Sequence, residues 1–576
     1  MSKKIVIVGG VAAGPKAACR LKRLQPSWDI TVVDQDSLIS YGGCGIPYYV
    51  SGDVAEETAL RSTSFHAVRD EAFFENAKGV TVLTRTKALS IDRKAKKLKV
   101  ENLQTGAQSE LNYDKLLLAT GSKPFVLPIP GADLDGVFTI ADLHKAIEIK
   151  RRIAGGKVGK VVVIGGGAIG IEMAEAFTDL WGIETALIEF MPQLLPRIVD
   201  AEFAAMLKKH LIDKNVAVYL SEGASEILGN SEGKAIAVKT PQRTLEADLV
   251  IMAAGVRPRN ELAKEAGLAI ASGFGGIVVN SRMQTSDPDI YAAGDCIATR
   301  HLVTGKQAFA PLGSLANREG RVAADNMAGY ATTFDGVVGS FIMKAFERCI
   351  AATGISYETA VAEGFDADYS LTAPADRAHF FPNTAAVILQ MVFDKRTRRV
   401  LGLQAFGAMN DSISARIDAA AVLISKGAVI EDFSMAEMAY APPFSSAIDS
   451  LNAAAFVADN ICAGLLRKVG VARFLAWMED FNREPDWLAL DIRHAKDAAI
   501  LVEKFGNEKW LSVPYPEVRA RLAEIPADKT LIILCDAGTR SYEVQVFLDH
   551  AGKRNSLVLS GGFNVLRRIG AGWLGK

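Results

Sequence analysis

Two sulfur-bearing stretches carry the most chemistry in this chain. In "SLISYGGCGIPYYVSGDV", residues 37–54, Cys44 stands between glycines with Pro47 three positions on. Such a cysteine is either a small packed side chain in a turn or a sulfur left open to a reaction partner. In "LIILCDAGTRSYEVQ", residues 531–545, Cys535 follows an apolar run and precedes a helical pattern, with Arg540 in the loop between. A loop of this kind turns backbone N–H groups toward one point, where they hold an anionic persulfide or phosphate, and Arg540 adds positive charge. The other cysteines, at 19, 296, 349 and 462, are scattered and no CxxC pair occurs. Neither a disulfide framework nor a metal site is expected, and a reducing cytoplasm fits best.

The elements that position these sulfurs begin at the N-terminus. "KKIVIVGGVAAGPKAACRLKRL" reads as a buried β-branched strand, a glycine turn and a helix with small residues on its strand-facing side. Its turn, Gly9-Gly10-Val11-Ala12-Ala13-Gly14, keeps the outer glycines of GxGxxG: Gly9 for the tight turn and Gly14 for close helix packing, with Val11 in the middle position. The next strand, "DITVVDQD", ends in Asp34, twenty residues past Gly14, where a carboxylate can take ribose hydroxyls. A second copy, "KVVVIGGGAIGIEMAEAF", has the full pattern in Gly165, Gly167 and Gly170, and "ETALIEF" ends in Glu189. A pyrophosphate belongs on the helix N-terminus near Ala168. Glu189 repels a 2′-phosphate, so NADH is expected over NADPH. "YDKLLLATGSKP" with Gly121, "ADLVIMAAGVRP" with Gly255 and "DIYAAGDCIA" with Asp295 supply the strand ends that close such clefts.

With 576 residues, 49% hydrophobic and 23% charged, the chain has room for three or four globular domains. Lysine plus arginine (65) balance aspartate plus glutamate (66), so no long-range field draws nucleic acid or anionic lipid. No eighteen-residue window is apolar enough to span a bilayer, and the glycine-broken N-terminal run lacks a signal-peptide cleavage site.

The order GxxxxG, ATG, GxGxxG, AGxRP, YAAGD resembles the FAD-dependent pyridine nucleotide-disulfide reductases over about residues 1–455. The resemblance implies FAD in the first cleft, with Asp295 on its ribityl or pyrophosphate region, and NAD(H) in the second. Dithiol members carry CxxxxC, but Cys44 has no such partner, so the segment is similar to the single-cysteine subgroup of coenzyme A-disulfide reductases, NADH oxidases and NADH peroxidases. There a cysteine beside the flavin, at a glycine turn near a helix N-terminus, is held as the thiolate that attacks sulfur. Peroxide-using members place a histidine at the fourth residue of the first glycine turn, which here is Ala12. The coenzyme A enzymes tend to carry Asn before the cysteine, where this chain has Gly43. "MAYAPPFSSAIDSLNAAAFVADN" resembles the dimer-domain signature, in which Tyr440 from the partner subunit reaches the cysteine as a general acid. A second tyrosine is replaced by Phe380 or Phe381. Arg20, Arg23 and Ser40 are the candidate contacts to coenzyme A, possible as substrate or carrier.

Residues 484–576, with "DIR" at 491–493 and the Cys535–Ser541 loop, resemble rhodanese sulfurtransferases, although a GHI-like turn is absent between them. Tyrosine phosphatase chemistry wants His before the cysteine, and Leu534 stands there. The expected plan is α/β: an FAD domain at 1–150 and 276–328, an NAD(H) domain at 151–275, an α+β dimerisation domain at 329–455, a linker at 456–483 and a rhodanese domain at 484–576. The expected activity is a homodimeric NADH-dependent flavoprotein reducing a coenzyme A disulfide, persulfide or polysulfide at Cys44, with Cys535 and Arg540 delivering or accepting sulfane sulfur. The alternatives are an NADH oxidase and a redox-responsive binding protein.

Overall fold

The computed structural model describes residues 2–140, 142–409 and 411–574. It divides into two units, residues 1–192 with 215–337, and residues 193–214 with 338–576.

The first unit holds two five-stranded parallel sheets built alike. In one, Lys4–Val8 lies between Asp29–Val33 and Lys115–Leu118, with Thr81–Leu83 and Ile290–Ala292 at the edges. In the other, Lys160–Ile164 lies between Glu184–Glu189 and Leu249–Met252, with Val216–Leu220 and Val137–Thr139 outside. The central strands "KIVIV" and "KVVVI" are buried on both faces, which is why they read as continuous β-branched runs rather than as alternating ones. Each central strand feeds a helix, Ala13–Leu24 or Ala168–Thr178, across its glycine turn. A small three-stranded antiparallel sheet accompanies each nucleotide-type sheet, one over 86–112 and one over 226–246.

The second unit contains an antiparallel sheet ordered Phe341–Ala345, Arg348–Gly354, Val400–Ala408, Ile388–Asp394, Ala367–Thr372. It also contains a parallel sheet ordered Lys468–Val469, Ser556–Leu559, Thr530–Leu534, Trp487–Asp491, Trp510–Ser512. Two expectations are corrected here. Residues 456–483 are not a free linker: Lys468–Val469 pairs with Ser556–Leu559, and the helix Val471–Glu479 sets Trp477 against Trp487 in the C-terminal core. The Trp and Phe side chains that looked like an amphipathic connector are the apolar cover of that sheet. Residues 193–214, expected inside the 151–275 domain, group with the second unit. The buried Asp200 carboxylate explains this, since it accepts bonds from the Tyr357 and Glu358 N–H groups and from the Gln390 and Gln404 amides. Among the described residues no helix is long and apolar enough to cross a membrane.

Candidate active site

The two glycine turns are superimposable in their constraints. Gly9 (φ +115°) donates its N–H to Val33 O at 2.9 Å, and a Cβ there would stand 2.0 Å from Ala119 O. Gly165 (φ +116°) donates to Ile188 O at 2.8 Å, and its Cβ would stand 2.4 Å from Ala253 O. At Gly14 and Gly170 an added Cβ would meet the carbonyl of Gly9 or Gly165 at 1.9 Å. Only glycine lets strand, turn and helix approach so closely. Gly167, at the start of the helix Ala168–Thr178, has no atom within 4 Å of where a Cβ would lie. Free amides therefore face open space there, as a pyrophosphate requires.

The acidic strand ends have a use that sequence did not reveal. Asp34 accepts the Gly10 N–H at 2.6 Å and the Asp36 N–H at 2.8 Å. Glu189 accepts the Gly166 N–H at 2.6 Å and the Met191 N–H at 2.7 Å. Each carboxylate clasps its own turn and keeps lone pairs over for a ribose. Burial raises the Asp34 carboxyl above its ordinary range. Gly121 (φ +71°) and Gly255 (φ +98°) border open space after their strands. Asp295 is largely buried, which raises it, and accepts the Ser122 hydroxyl at 3.1 Å. This donor set of free amides, carboxylates and bare glycine surface fits a dinucleotide in each cleft.

Cys44 is exposed, in the short turn Gly43–Gly45 ahead of the helix Ile46–Ser51. Its Sγ lies 3.8 Å from where a Gly313 Cβ would be, so the sulfur faces the first residue of the fifteen-residue helix Gly313–Met327. The positive end of that helix favours negative charge. Tyr48 follows one turn later; burial first, then Glu172, Glu175, Asp53 and Cys44, push its phenol up to about 12. Glu172, on the helix behind the second glycine turn, is pushed up to about 7 by burial and by Glu175. On the helix Gly313–Met327, buried Glu319 accepts the Gly294 N–H at 2.8 Å and is raised to about 7 by burial, with Asp295 adding to it.

The expected carrier contacts are only partly available. Arg20 is committed to Asp325 at 2.6 Å, so it holds two helices together instead of standing free. Ser40 is buried at φ +51° and its N–H donates to Gly10 O at 2.7 Å, which braces the first turn. Arg23 is exposed. Tyr440 is 51% exposed in the second unit, on a surface with Phe444 (75%) and Ile448 (59%).

Cys535 is 1% exposed at the end of Thr530–Leu534, and its Sγ accepts the Gly538 N–H at 3.1 Å. Gly538 takes φ +97°, which turns that amide inward at the start of the helix Thr539–His550. Arg540 reaches Asp536 at 2.5 Å rather than the sulfur. Asp491 and Arg493 form a buried pair at 2.7 Å, with the guanidinium 3.3 Å from the Phe563 ring centroid. Sequence reasoning missed Tyr48, Glu172, Glu319 and the second residue of each turn, Gly10 and Gly166, whose amides the acidic strand ends take. "GIEMAEAF" held the only signal for Glu172, an acid on the helix face one turn past the glycines. Glu319 in "ANREGRVAADN" carried none.

Comparison with known proteins places this geometry. The profile described as pyridine nucleotide-disulphide oxidoreductase matches residues 3–312, and the dimerisation-domain profile of the same oxidoreductases matches 343–452. The chain is 36% identical to the NAD(P)H coenzyme A polysulfide/persulfide reductase of Pyrococcus horikoshii, over 78% of this chain and 97% of that protein. It is 34% identical to an NADH oxidase of Methanocaldococcus jannaschii, over 78% of this chain and 98% of that one. Its structure aligns with that of an NAD-dependent persulfide reductase from A. fulgidus at a TM-score of 0.91 and 37% identity, over 98% of this chain and 99% of the other.

Proposed function

Because the chain belongs to the pyridine nucleotide-disulphide oxidoreductase family, whose members use FAD and NAD(H), we propose that it is an NADH-dependent reductase of coenzyme A disulfide, persulfide or polysulfide acting through Cys44. The supporting observation is the position of the Cys44 sulfur, exposed and facing the N-terminus of Gly313–Met327, in the unit that carries both dinucleotide clefts. A Cys44 thiolate attacks the carrier-bound sulfur of a persulfide; the S–S bond breaks, hydrosulfide leaves with the electron pair, and a Cys44–carrier disulfide remains. FAD, which the Gly9–Gly14 turn, Asp34 and Asp295 would hold, would supply from NADH the two electrons needed to return this disulfide to two thiolates. The helix N-terminus stabilises the Cys44 sulfur each time it becomes anionic. Glu189, clasped at the end of its strand, leaves a negative edge that admits the ribose diol of NADH and disfavours a 2′-phosphate. The exposed patch around Tyr440 suits a homodimer in which the Tyr440 phenol of one copy protonates the leaving sulfur at the other's Cys44.

The C-terminal module is read as a rhodanese domain in which Cys535 carries sulfane sulfur. The inward Gly538 amide and the strand–loop–helix setting support it. An NADH oxidase is the second reading, motivated by the M. jannaschii relative; Ala12 in place of a peroxide-handling histidine weighs against it. The deciding measurement is NADH oxidation without oxygen, with coenzyme A persulfide or polysulfide as acceptor, against NADH oxidation in air without sulfur. Sulfide release that tracks NADH and is lost in Cys44→Ser is expected. Oxygen consumption as fast as sulfur turnover would reject the reductase reading.

A further inference from the structure

The helix Gly562–Ile569 ends in Arg567 and Arg568, and it starts against the Cys535 loop, where the Phe563 N–H donates to Cys535 O at 3.0 Å. Arg567 lies 3.4 Å from Asp536, a carboxylate already held by Arg540. Arg568 is half-buried and, among the described residues, its guanidinium donates only to backbone carbonyls, Asn564 O and Ala386 O, both at 3.3 Å. Arg348, first residue of the strand Arg348–Gly354, acts on the same guanidinium through its charge: burial, then Arg348 and Arg567, hold Arg568 below its ordinary range. Among the described residues neither Arg348 nor Arg568 has a carboxylate partner. The acids on the surrounding elements are occupied, Glu347 by Lys214 at 2.8 Å and His210 at 3.7 Å, Asp213 by Lys209 at 2.6 Å. A half-buried guanidinium with two like-charged neighbours and no counter-charge is costly to hold. An anion with several oxygens removes that cost, since guanidinium groups bind such oxygens in pairs.

We propose that Arg348, Arg567 and Arg568 form an oxyanion site beside the Cys535 loop that seats the charged group of a sulfur donor or acceptor. It rests on the reading of Cys535 as a sulfur-transfer nucleophile. Two sources share this chemistry, the phosphates of a phosphorylated thiol and a free sulfur oxyanion such as thiosulfate. In loading, the Cys535 thiolate attacks the outer sulfur of thiosulfate, the S–S bond breaks and sulfite leaves with its electron pair. In unloading, an acceptor thiolate attacks the outer sulfur of the Cys535 persulfide, and Cys535 departs as thiolate. No net oxidant is needed.

The test uses the FAD-loaded full chain without NADH, with thiosulfate as donor and either coenzyme A or phosphate-free pantetheine as acceptor. Wild type is expected to favour coenzyme A about tenfold in kcat/KM, and R348Q/R568Q to lose at least fivefold of that preference with pantetheine turnover within twofold. A rise of fivefold or more in the thiosulfate KM, with the acceptor ratio unchanged, equally supports the site and assigns it to the donor. If neither parameter moves, the proposal is wrong. R567Q, at the exposed rim, repeats the test with a smaller loss should the double variant not fold. If wild type transfers no sulfur at Cys535, the sulfurtransferase reading fails separately. Calorimetric titration with inorganic pyrophosphate then decides the site: one binding event missing in R348Q/R568Q supports it, and identical isotherms overturn it.

Discussion

Cys44, between Gly43 and Gly45, and Cys535, three residues before Gly538, both precede a helix, yet the fold treats them oppositely. Cys44 is exposed and faces the end of a helix 269 positions further along the chain, Gly313–Met327. Cys535 is sealed at the tip of its own strand, and the amide that reaches its sulfur comes from Gly538, three residues away. The first arrangement leaves the sulfur open to solvent and depends on distant parts of the chain. The second is assembled locally, from a strand end and the amide of its own loop. An open sulfur suits exchange with a disulfide, whereas a sealed, amide-lined one suits storage of an anionic persulfide.

The largest expected effect separates the two sulfurs outright. Cys44→Ser is expected to lower NADH-driven persulfide reduction by about a thousandfold or more while leaving sulfur transfer from thiosulfate intact, because only a thiolate nucleophile is removed. Cys535→Ser is expected to do the reverse, abolishing transfer from thiosulfate while reduction of coenzyme A disulfide stays within twofold. If both activities fall together in either variant, the two centres are one.

A smaller effect concerns the carboxyl near the first cleft. Glu319 in the folded protein is raised to about 7, above its unfolded value, so the native state binds the proton more tightly and stability declines as pH rises from about 4.5 to 7. Glu319→Gln keeps an oxygen for the Gly294 N–H and removes the titration. It is expected to flatten that decline and to gain up to about 3 kcal/mol over wild type at pH 8, read from denaturant midpoints of the FAD-loaded protein. An unchanged pH profile would mean Glu319 does not titrate in this range.

The smallest effects sharpen the contrast at the turns themselves. Gly538 holds φ +97° with nothing within 4 Å of an added Cβ, so Gly538→Ala costs about 1–2 kcal/mol of backbone strain and turns the amide from Cys535, slowing transfer about tenfold. Gly43 has no positive φ and only the Tyr41 ring at 4.0 Å, so Gly43→Ala is expected to change persulfide turnover less than twofold. Comparable losses in both variants would erase the distinction between a locally built and a remotely built sulfur site.

Much of the scaffold was legible because its signals are local. The runs "KIVIV" and "KVVVI", their glycines and their acidic strand ends lie within about thirty residues of each other, and sterics at Gly14 and Gly170 allow no other residue. The misreadings were of residues whose partners lie far along the chain. Arg20 looked free for a phosphate, but Asp325, 305 positions away, takes it. The 456–483 segment looked like a connector because an amphipathic helix gives no sign of which surface covers its apolar face; Trp487 and Trp510 on later strands define it. The segment 193–214 followed the nucleotide pattern in order, yet Asp200 is captured by Gln390 and Gln404.

By itself the sequence determined the α/β class and both dinucleotide turns, since steric and periodic constraints act between near neighbours in the chain. Tertiary structure alone decided which cysteine is open and which is sealed, which arginines are already paired, and which buried carboxyls hold their protons to about 7. Burial and charge pairing are properties of surfaces that meet only after folding, and no local pattern encodes what a side chain will face.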